Sequence, residues 1–247
     1  MKTTNAITRL LASIAAVCLF ASCSNEDNTP ATLSSESLLL YVGESSKLTY
    51  SGETCTWRSE NSLIASVDNE GRVNAKKVGT TNIFANDLVC RVQVVSRYNN
   101  YVEPYTKWGS DASSINTYMT QRSYSLLTAS NTSIVYNGDT KVVGYVYTLD
   151  NLKLVSSGMV VKLTYSSSFL DYIADRYVAV SVERVSGGDA YVFSSVDMKT
   201  FLAIQISTSG VAAAYLPMDS QKTRNYSDIL REQLPKLEEL PRLVKTQ

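Results

Sequence analysis

The apolar residues of this chain fall into two rhythms. Between residues 38 and 95 they come as short runs: Leu38-Leu39-Leu40-Tyr41-Val42, Lys47-Leu48-Thr49-Tyr50, Cys55-Thr56-Trp57, Ile64-Ala65 with Val67, Val73 with Ala75, and Thr81–Ala85 opened by Gly79. Leu88–Val95 closes the series. There Leu88, Cys90, Val92 and Val94 alternate with Val89, Arg91, Gln93 and Val95, which places Cys90 on the apolar face. Gly43-Glu44-Ser45 and Asp68-Asn69-Glu70-Gly71 supply turn chemistry between the runs, with Gly71 free to take φ > 0. Short strands separated by turn signals every 8 to 12 residues or so predict an all-β sandwich over residues 33–96.

After residue 110 the rhythm becomes helical. Ser110 or Asp111 stands as an N-cap, and Ile115, Tyr118, Met119 and Arg122 follow at i, i+3, i+4 and i+7, one apolar stripe to be buried. Four strands are predicted next, Tyr124–Ala129, Ser133–Tyr136, Val142–Thr148 and Leu154–Leu163, with Asn137-Gly138-Asp139 and Asp150-Asn151 as turns. A second helix opens at Ser166–Ser168, with Phe169, Tyr172, Ile173 and Arg176 at the same spacing. Val178–Arg184, Ala190–Ser195, Phe201–Ser207 and Val211–Leu216 follow it, with turns at Gly187-Gly188-Asp189 and Thr208-Ser209-Gly210. Tyr118…Arg122 thus recurs as Tyr172…Arg176, 54 residues on, each pair ahead of four strands. Neither a striped helix nor a four-stranded sheet can bury its apolar face alone. Residues 97–218 therefore predict an α+β domain of two helix-plus-four-stranded antiparallel sheet repeats, joined edge to edge or face to face.

The connector Ser96–Lys107 mixes charge, aromatics and Pro104, as an ordered joint between domains would. The tail, residues 219–247, begins polar; Leu230, Leu234, Leu237 and Leu240 then sketch an amphipathic helix interrupted by Pro235 and Pro241. A proline inside a helix costs about 3 kcal/mol, so short broken helices are expected there, docked on the second domain or loose.

The stretch Trp57-Arg58-Ser59-Glu60-Asn61 … Ile64-Ala65-Ser66-Val67-Asp68 … Gly71-Arg72-Val73-Asn74-Ala75 … Gly79-Thr80-Thr81 resembles the recurring pattern of the bacterial immunoglobulin-like domain, group 2. The resemblance covers roughly residues 33 to 95 and implies an immunoglobulin-like sandwich of the kind used as spacer or adhesion module. The helix-plus-four-strand tandem is similar in outline to the β-lactamase-inhibitor-protein fold, a likeness of topology alone. The run Glu103-Pro104 … Trp108-Gly109 ahead of a helix resembles a segment found behind immunoglobulin-like modules in Bacteroidetes surface lipoproteins.

Composition narrows the function classes. The chain has 247 residues, 23 basic and 23 acidic side chains, and no histidine. Balanced charge gives no basic excess to displace counterions, so nucleic acid is not an expected partner. Lys2 and Arg9 precede an apolar stretch, Leu10–Phe20, too short to span a bilayer. Residues 1–22 read as a signal peptide, and Phe20-Ala21-Ser22-Cys23 resembles the lipobox of bacterial lipoproteins, with Phe20 where Leu is usual. That resemblance makes Cys23 the acylated first residue of the mature protein and anchors it to the outer membrane; an ordinary signal peptide with an incidental cysteine is the alternative. Removing residues 1–22 leaves 21 basic against 23 acidic side chains, a net charge of −2. Ser24-Asn25-Glu26-Asp27-Asn28-Thr29-Pro30, within the 23–32 tether, is too polar to pack. It resembles the export signal of surface lipoproteins, and otherwise serves as a plain stalk.

Without histidine there is no Ser-His-Asp triad, Cys-His pair or His-ligated metal; no cofactor or metal site is expected. Phosphate-binding glycine loops and nucleophile elbows are missing too. Asp171 and Asp175 could pair as glycosidase carboxylates but more simply make a solvated helix face. Asp68-Asn69-Glu70-Gly71 lacks the spacing of a calcium loop and reads as a turn. Cys55 and Cys90 are candidates for a disulfide in an oxidising compartment, or for free buried thiols. Tyr136, Tyr145 and Tyr147, with Tyr191 and Phe193 in the second unit, form rows able to stack on sugar rings or anchor a protein; the alternative is that they are core beneath the helices. Lys141, Thr148, Lys162 and Gln205, on the opposite faces, look solvated. The sequence therefore predicts a non-enzymatic, membrane-anchored surface lipoprotein, an immunoglobulin-like spacer presenting a binding domain for a glycan or an adhesion partner. The alternative is a protein-binding inhibitor or envelope-assembly lipoprotein.

Overall fold

Seven short strands come first in the computed structural model: β1 (Ser37–Tyr41), β2 (Ser45–Lys47), β3 (Trp57–Ser59), β4 (Ala65–Val67), β5 (Arg72–Ala75), β6 (Gly79–Ala85) and β7 (Leu88–Val95). The structure describes residues 30–185, 188–218, 234–237, 239–242 and 244. The signal peptide, Cys23, the tether up to residue 29, Gly187 of one predicted turn, and residues 219–233 of the tail lie outside the described residues.

Two sheets face one another, β1-β7-β6-β3 and β2-β5-β4. Alternation along β7 buries Cys90, Val92 and Val94 while Arg91 and Gln93 stay exposed, the period-2 pattern of a half-buried strand. Leu48, Ile64, Val73, Ile83 and Val92 meet in the core between the sheets. Asp68 Oδ1 accepts from the amides of Glu70 and Arg72 and sets the predicted turn. Gly71 sits at φ +80, and a Cβ there would meet Leu48 O at 2.5 Å and Trp57 Cζ2 at 2.6 Å. Both the backbone angle and the close packing of Trp57 demand glycine.

Cys55 and Cys90 are both free, a correction to the candidate disulfide. Cys55 lies two residues ahead of β3, and β6 stands between β3 and β7. Two strand spacings come to about 9.5 Å, beyond the 7 Å or so that a disulfide spans.

The remaining elements are α1 (Ala112–Thr120), β8 (Leu126–Ala129), β9 (Ser133–Asn137), β10 (Val142–Asp150), β11 (Lys153–Val161), a 3-10 turn Leu163–Tyr165, α2 (Ser166–Ala174), β12 (Tyr177–Val185), β13 (Gly188–Ser195), β14 (Thr200–Ser207) and β15 (Gly210–Pro217). Asp111 caps α1, its Oδ1 accepting from the Ser114 amide at 2.9 Å. The eight strands form one antiparallel sheet, in the order β12-β13-β14-β15-β11-β10-β9-β8, with β11 and β15 joined from Ser157↔Tyr215 to Val161↔Val211.

Both faces of this sheet are covered. On one face Ile115 and Met119 of α1 and Phe169, Tyr172 and Ile173 of α2 pack on Tyr136, Tyr145, Tyr147, Met159, Ile204 and Tyr215. On the other, Val135, Val146, Val160, Val192, Ala203 and Ala214 meet Leu234, Leu237 and Leu240 of the tail. Residues 234–237 and 239–242 are helical and include Pro235 and Pro241, and Leu234, Leu237 and Leu240, at i, i+3 and i+6, bury one stripe against the sheet. Small residues floor the tail's seat: a Cβ on Gly158 would stand 2.6 Å from Leu237 Cδ2. Gln205, expected in solvent, is 2% exposed because its face is covered.

Residues 32–247 make one compact unit, and the two parts meet at the C-terminal end of α2. Val78 N–H donates to Asp175 O at 2.8 Å, Lys77 Nζ donates to Ala174 O, and Ser96 Oγ donates to Asp175 Oδ2 at 2.6 Å. The open carbonyls of a helix end and its negative dipole pole are thus satisfied by the sandwich. Val196, from the β13–β14 turn, packs on the sandwich core, and Asn61 Nδ2 donates to its carbonyl at 3.3 Å.

Candidate functional site

Three of the five aromatic candidates for ligand stacking are core. Tyr136, Tyr145 and Tyr147 are each 0% exposed, with Tyr136 directly opposite Tyr145 across the β9–β10 pair. They lie under the helices because the helix stripes need that face of the sheet. Two of their hydroxyls serve the connector and the third serves α1. Tyr145 Oη donates to Val102 O at 3.0 Å, the Tyr105 amide donates to Tyr147 Oη at 3.2 Å, and Tyr136 Oη donates to Asn116 Oδ1 at 3.1 Å. Tyr101, Val102, Tyr105 and Trp108 of the connector pack on the core shared by sheet and helices, where backbone groups would otherwise lack partners. Tyrosine offers an apolar body for the core and a polar tip for that backbone. Phe193 is half-buried against the same core, and only Tyr191 of the set remains exposed, at 45%.

The connector instead builds a cleft of about 570 Å³, walled by Tyr118 and Arg122 from the end of α1, Tyr172 and Arg176 from the end of α2, Tyr177, Glu103, Val78 of the sandwich, and Val196 and Asp197 of the β13–β14 turn. The two Tyr-Arg pairs are built alike. The Arg122 guanidinium lies 3.6 Å from the centroid of the Tyr118 ring and its Nη1 donates to Tyr118 O at 2.9 Å. Arg176 lies 3.7 Å from the Tyr172 ring and donates to Tyr172 O at 3.0 Å. Each arginine thereby stacks on an aromatic face and closes the C-terminal end of its own helix. Arg176 Nη2 also donates to Asn99 Oδ1 at 2.6 Å. Among the described residues, neither arginine is in an ion pair.

Glu103 enters this cleft from the connector, where Tyr118 Oη donates to its backbone carbonyl at 2.9 Å. Its Oε2 accepts from Tyr177 Oη at 2.8 Å, while Oε1 is shut off from solvent and accepts no hydrogen bond. Burial pushes the Glu103 carboxyl above the usual carboxylate range, against the opposing pull of the Tyr177 hydroxyl, the Arg176 charge and the Tyr172 hydroxyl. A raised carboxyl stabilises the fold fully below the unfolded-state pKa of about 4.3, and that contribution is lost as pH rises through the raised folded value. Glu103→Gln, neutral throughout, should raise Tm over wild type at pH 7 and much less at pH 4, measured by near-UV circular dichroism. An equal shift at both pH values would show that the fold does not raise the Glu103 carboxyl above its unfolded-state value.

Sequence reasoning singled out the Tyr-Arg spacing and the Glu103-Pro104 run without joining them. Asp175, weighed as a carboxylate partner of Asp171, holds the Ser96 hydroxyl at the domain junction instead; Asp171 remains on the exposed side of α2. Among the described residues no group of three or more Cys, Asp or Glu side chains is placed to hold a metal, and no helix is long and apolar enough to cross a membrane.

Residues 41–87 match the family model for the intimin immunoglobulin-like domain. The match falls within the seven-stranded sandwich, which is thus similar to an immunoglobulin-like domain of bacterial surface proteins. None of the curated protein sequences matches the chain.

Proposed function

We propose that this chain is a non-enzymatic lipoprotein of the outer membrane, acylated at Cys23 and exposed on the cell surface, whose immunoglobulin-like domain presents a binding cleft for a glycan or an adhesion partner. The intimin-type match supports a surface, adhesion-related role, and the residues shared with the group 2 bacterial pattern support reading the sandwich as of that kind. We read the eight-stranded sheet and its two helices as the two helix-plus-four-strand repeats expected from the Tyr118…Arg122 and Tyr172…Arg176 echo. In that reading the cleft lies where the two repeats bring equivalent helix ends together. The observation that carries the proposal is Glu103, a buried carboxyl with an open acceptor in a cleft flanked by two arginines. Buried polar groups left without partners concentrate at binding sites, because leaving one unmet costs about 1–3 kcal/mol. The competing reading, an inhibitor that grips a protein on the open face of its sheet, is disfavoured by the tail leucines seated on that face.

A glycan array and mucin-coated surfaces probed with the full chain in detergent test this. Saturable binding, competed by free sugar and lost in Arg122→Ala and Arg176→Ala, is expected. Binding that survives both changes but disappears in Tyr191→Ala would move the site to the outer strands. Absence of glycan binding, with crosslinking on intact cells capturing no surface partner either, would overturn the proposal.

A further inference from the structure

We infer that the cleft takes an acidic saccharide, a sugar carrying a carboxylate, with Arg122 and Arg176 holding the carboxylate and Glu103 engaging a hydroxyl of the same sugar. The inference rests on the reading of the cleft as the binding site and goes beyond it by assigning the ligand's charge and hydrogen-bonding groups.

Three features point the same way. Each arginine donates one Nη1 hydrogen bond to its own helix end and is oriented by a tyrosine ring, and Arg176 Nη2 also donates to Asn99 Oδ1. Their guanidiniums are therefore fixed in place while N–H donors remain for an anion. Arginine held like this is suited to a planar carboxylate, which its fork meets with two parallel hydrogen bonds. Neither guanidinium is neutralised by an acidic side chain in an ion pair among the described residues. The nearby Asp197 is spent on its own turn, its Oδ1 accepting from Ser195 Oγ at 2.6 Å and from the Lys199 amide at 3.2 Å.

Glu103 makes the second requirement. Oε2 is satisfied by Tyr177, and Oε1 accepts no hydrogen bond. A buried carboxyl oxygen without a donor can accept from a hydroxyl, and sugars present hydroxyls a few ångströms from a ring carboxylate. Oε1 is shut off from solvent, so this contact requires the ligand to displace part of the cleft wall. The aromatic faces of Tyr118 and Tyr172 are already covered by guanidiniums, so a neutral sugar that binds chiefly by ring stacking finds no free platform here.

Isothermal titration of the full chain in detergent with N-acetylneuraminic acid, glucuronic acid, galactose and a glutamate-rich peptide separates the outcomes. One of the acidic sugars should bind saturably, with at least a tenfold loss in Arg122→Ala and in Arg176→Ala, a smaller loss in the Lys replacements, and no measurable binding of galactose. Glu103→Gln should lower affinity for the acidic sugar without changing the fold, checked by circular dichroism. Galactose binding as well as the acidic sugars, and lost in the arginine variants, would overturn the acidic-ligand inference while leaving the cleft as a glycan site. The peptide binding and the sugars failing would overturn it in favour of a protein partner. No ligand binding at all, with variants and wild type alike, would remove both the inference and the cleft.

Discussion

Replacing Tyr147 by alanine should lower the unfolding free energy by about 3–5 kcal/mol, in the range for truncating a fully buried aromatic. The ring is 0% exposed and lies edge-on to Tyr136 at 6.0 Å between centroids. Its hydroxyl accepts from the Tyr105 amide at 3.2 Å and donates to Met119 Sδ at 3.0 Å, so the side chain ties sheet, connector and α1 together. Tyr147→Phe keeps the ring and strands the Tyr105 amide, a loss of roughly 1–3 kcal/mol. Urea unfolding followed by tryptophan fluorescence measures both. An alanine variant within about 1 kcal/mol of wild type would mean that the tyrosine layer is not the core described above.

Leu237→Asp should detach the tail. Leu237 is 3% exposed among Val146, Ala214 and their neighbours, and its methyls lie where a side chain on Gly158 would otherwise go. A carboxylate there has no partner of opposite charge in that apolar cluster, and the expected cost is roughly 3–5 kcal/mol. Detachment exposes the apolar face of β10, β11 and β15, so the variant should bind anilinonaphthalene sulfonate and lose hydrogen-exchange protection on those strands first. Unchanged dye binding and exchange would show that the tail contributes nothing to covering the sheet.

Alternation made the strand faces readable: Cys90, Val92 and Val94 were assignable to the interior from β7 alone, and the Asp111 cap from its position ahead of an apolar stripe. Alternation does not say which face meets solvent, and here the sheet has two covers. Tyr145 and Tyr147 therefore looked available for ligand although they lie under α1 and the connector. Gln205 looked solvated because the tail that hides its face lies well downstream in the sequence, beyond a polar stretch. The cleft was harder still. Its parts stood in the sequence as a tyrosine–arginine spacing and an isolated Glu-Pro, but their meeting depends on contacts between positions far apart, such as Val78 with Asp175 and Asn61 with Val196. A lone glutamate in a loop carries no local mark of burial; only its neighbours in space leave Oε1 without a donor.

The parallel pairing of β1 with β7, from Ser37↔Arg91 to Tyr41↔Val95, gives the sandwich a mechanical character. The chain enters β1 at the end of the ladder opposite to the one where β7 runs on into the connector. Tension between residue 32 and the cleft therefore pulls the two strands lengthwise past each other. Their hydrogen bonds must yield together and not one after another, as they would if peeled from one end. A pulling force applied there would meet its greatest resistance along that seam, while Lys77 and Val78 stay bonded to the C-terminal end of α2.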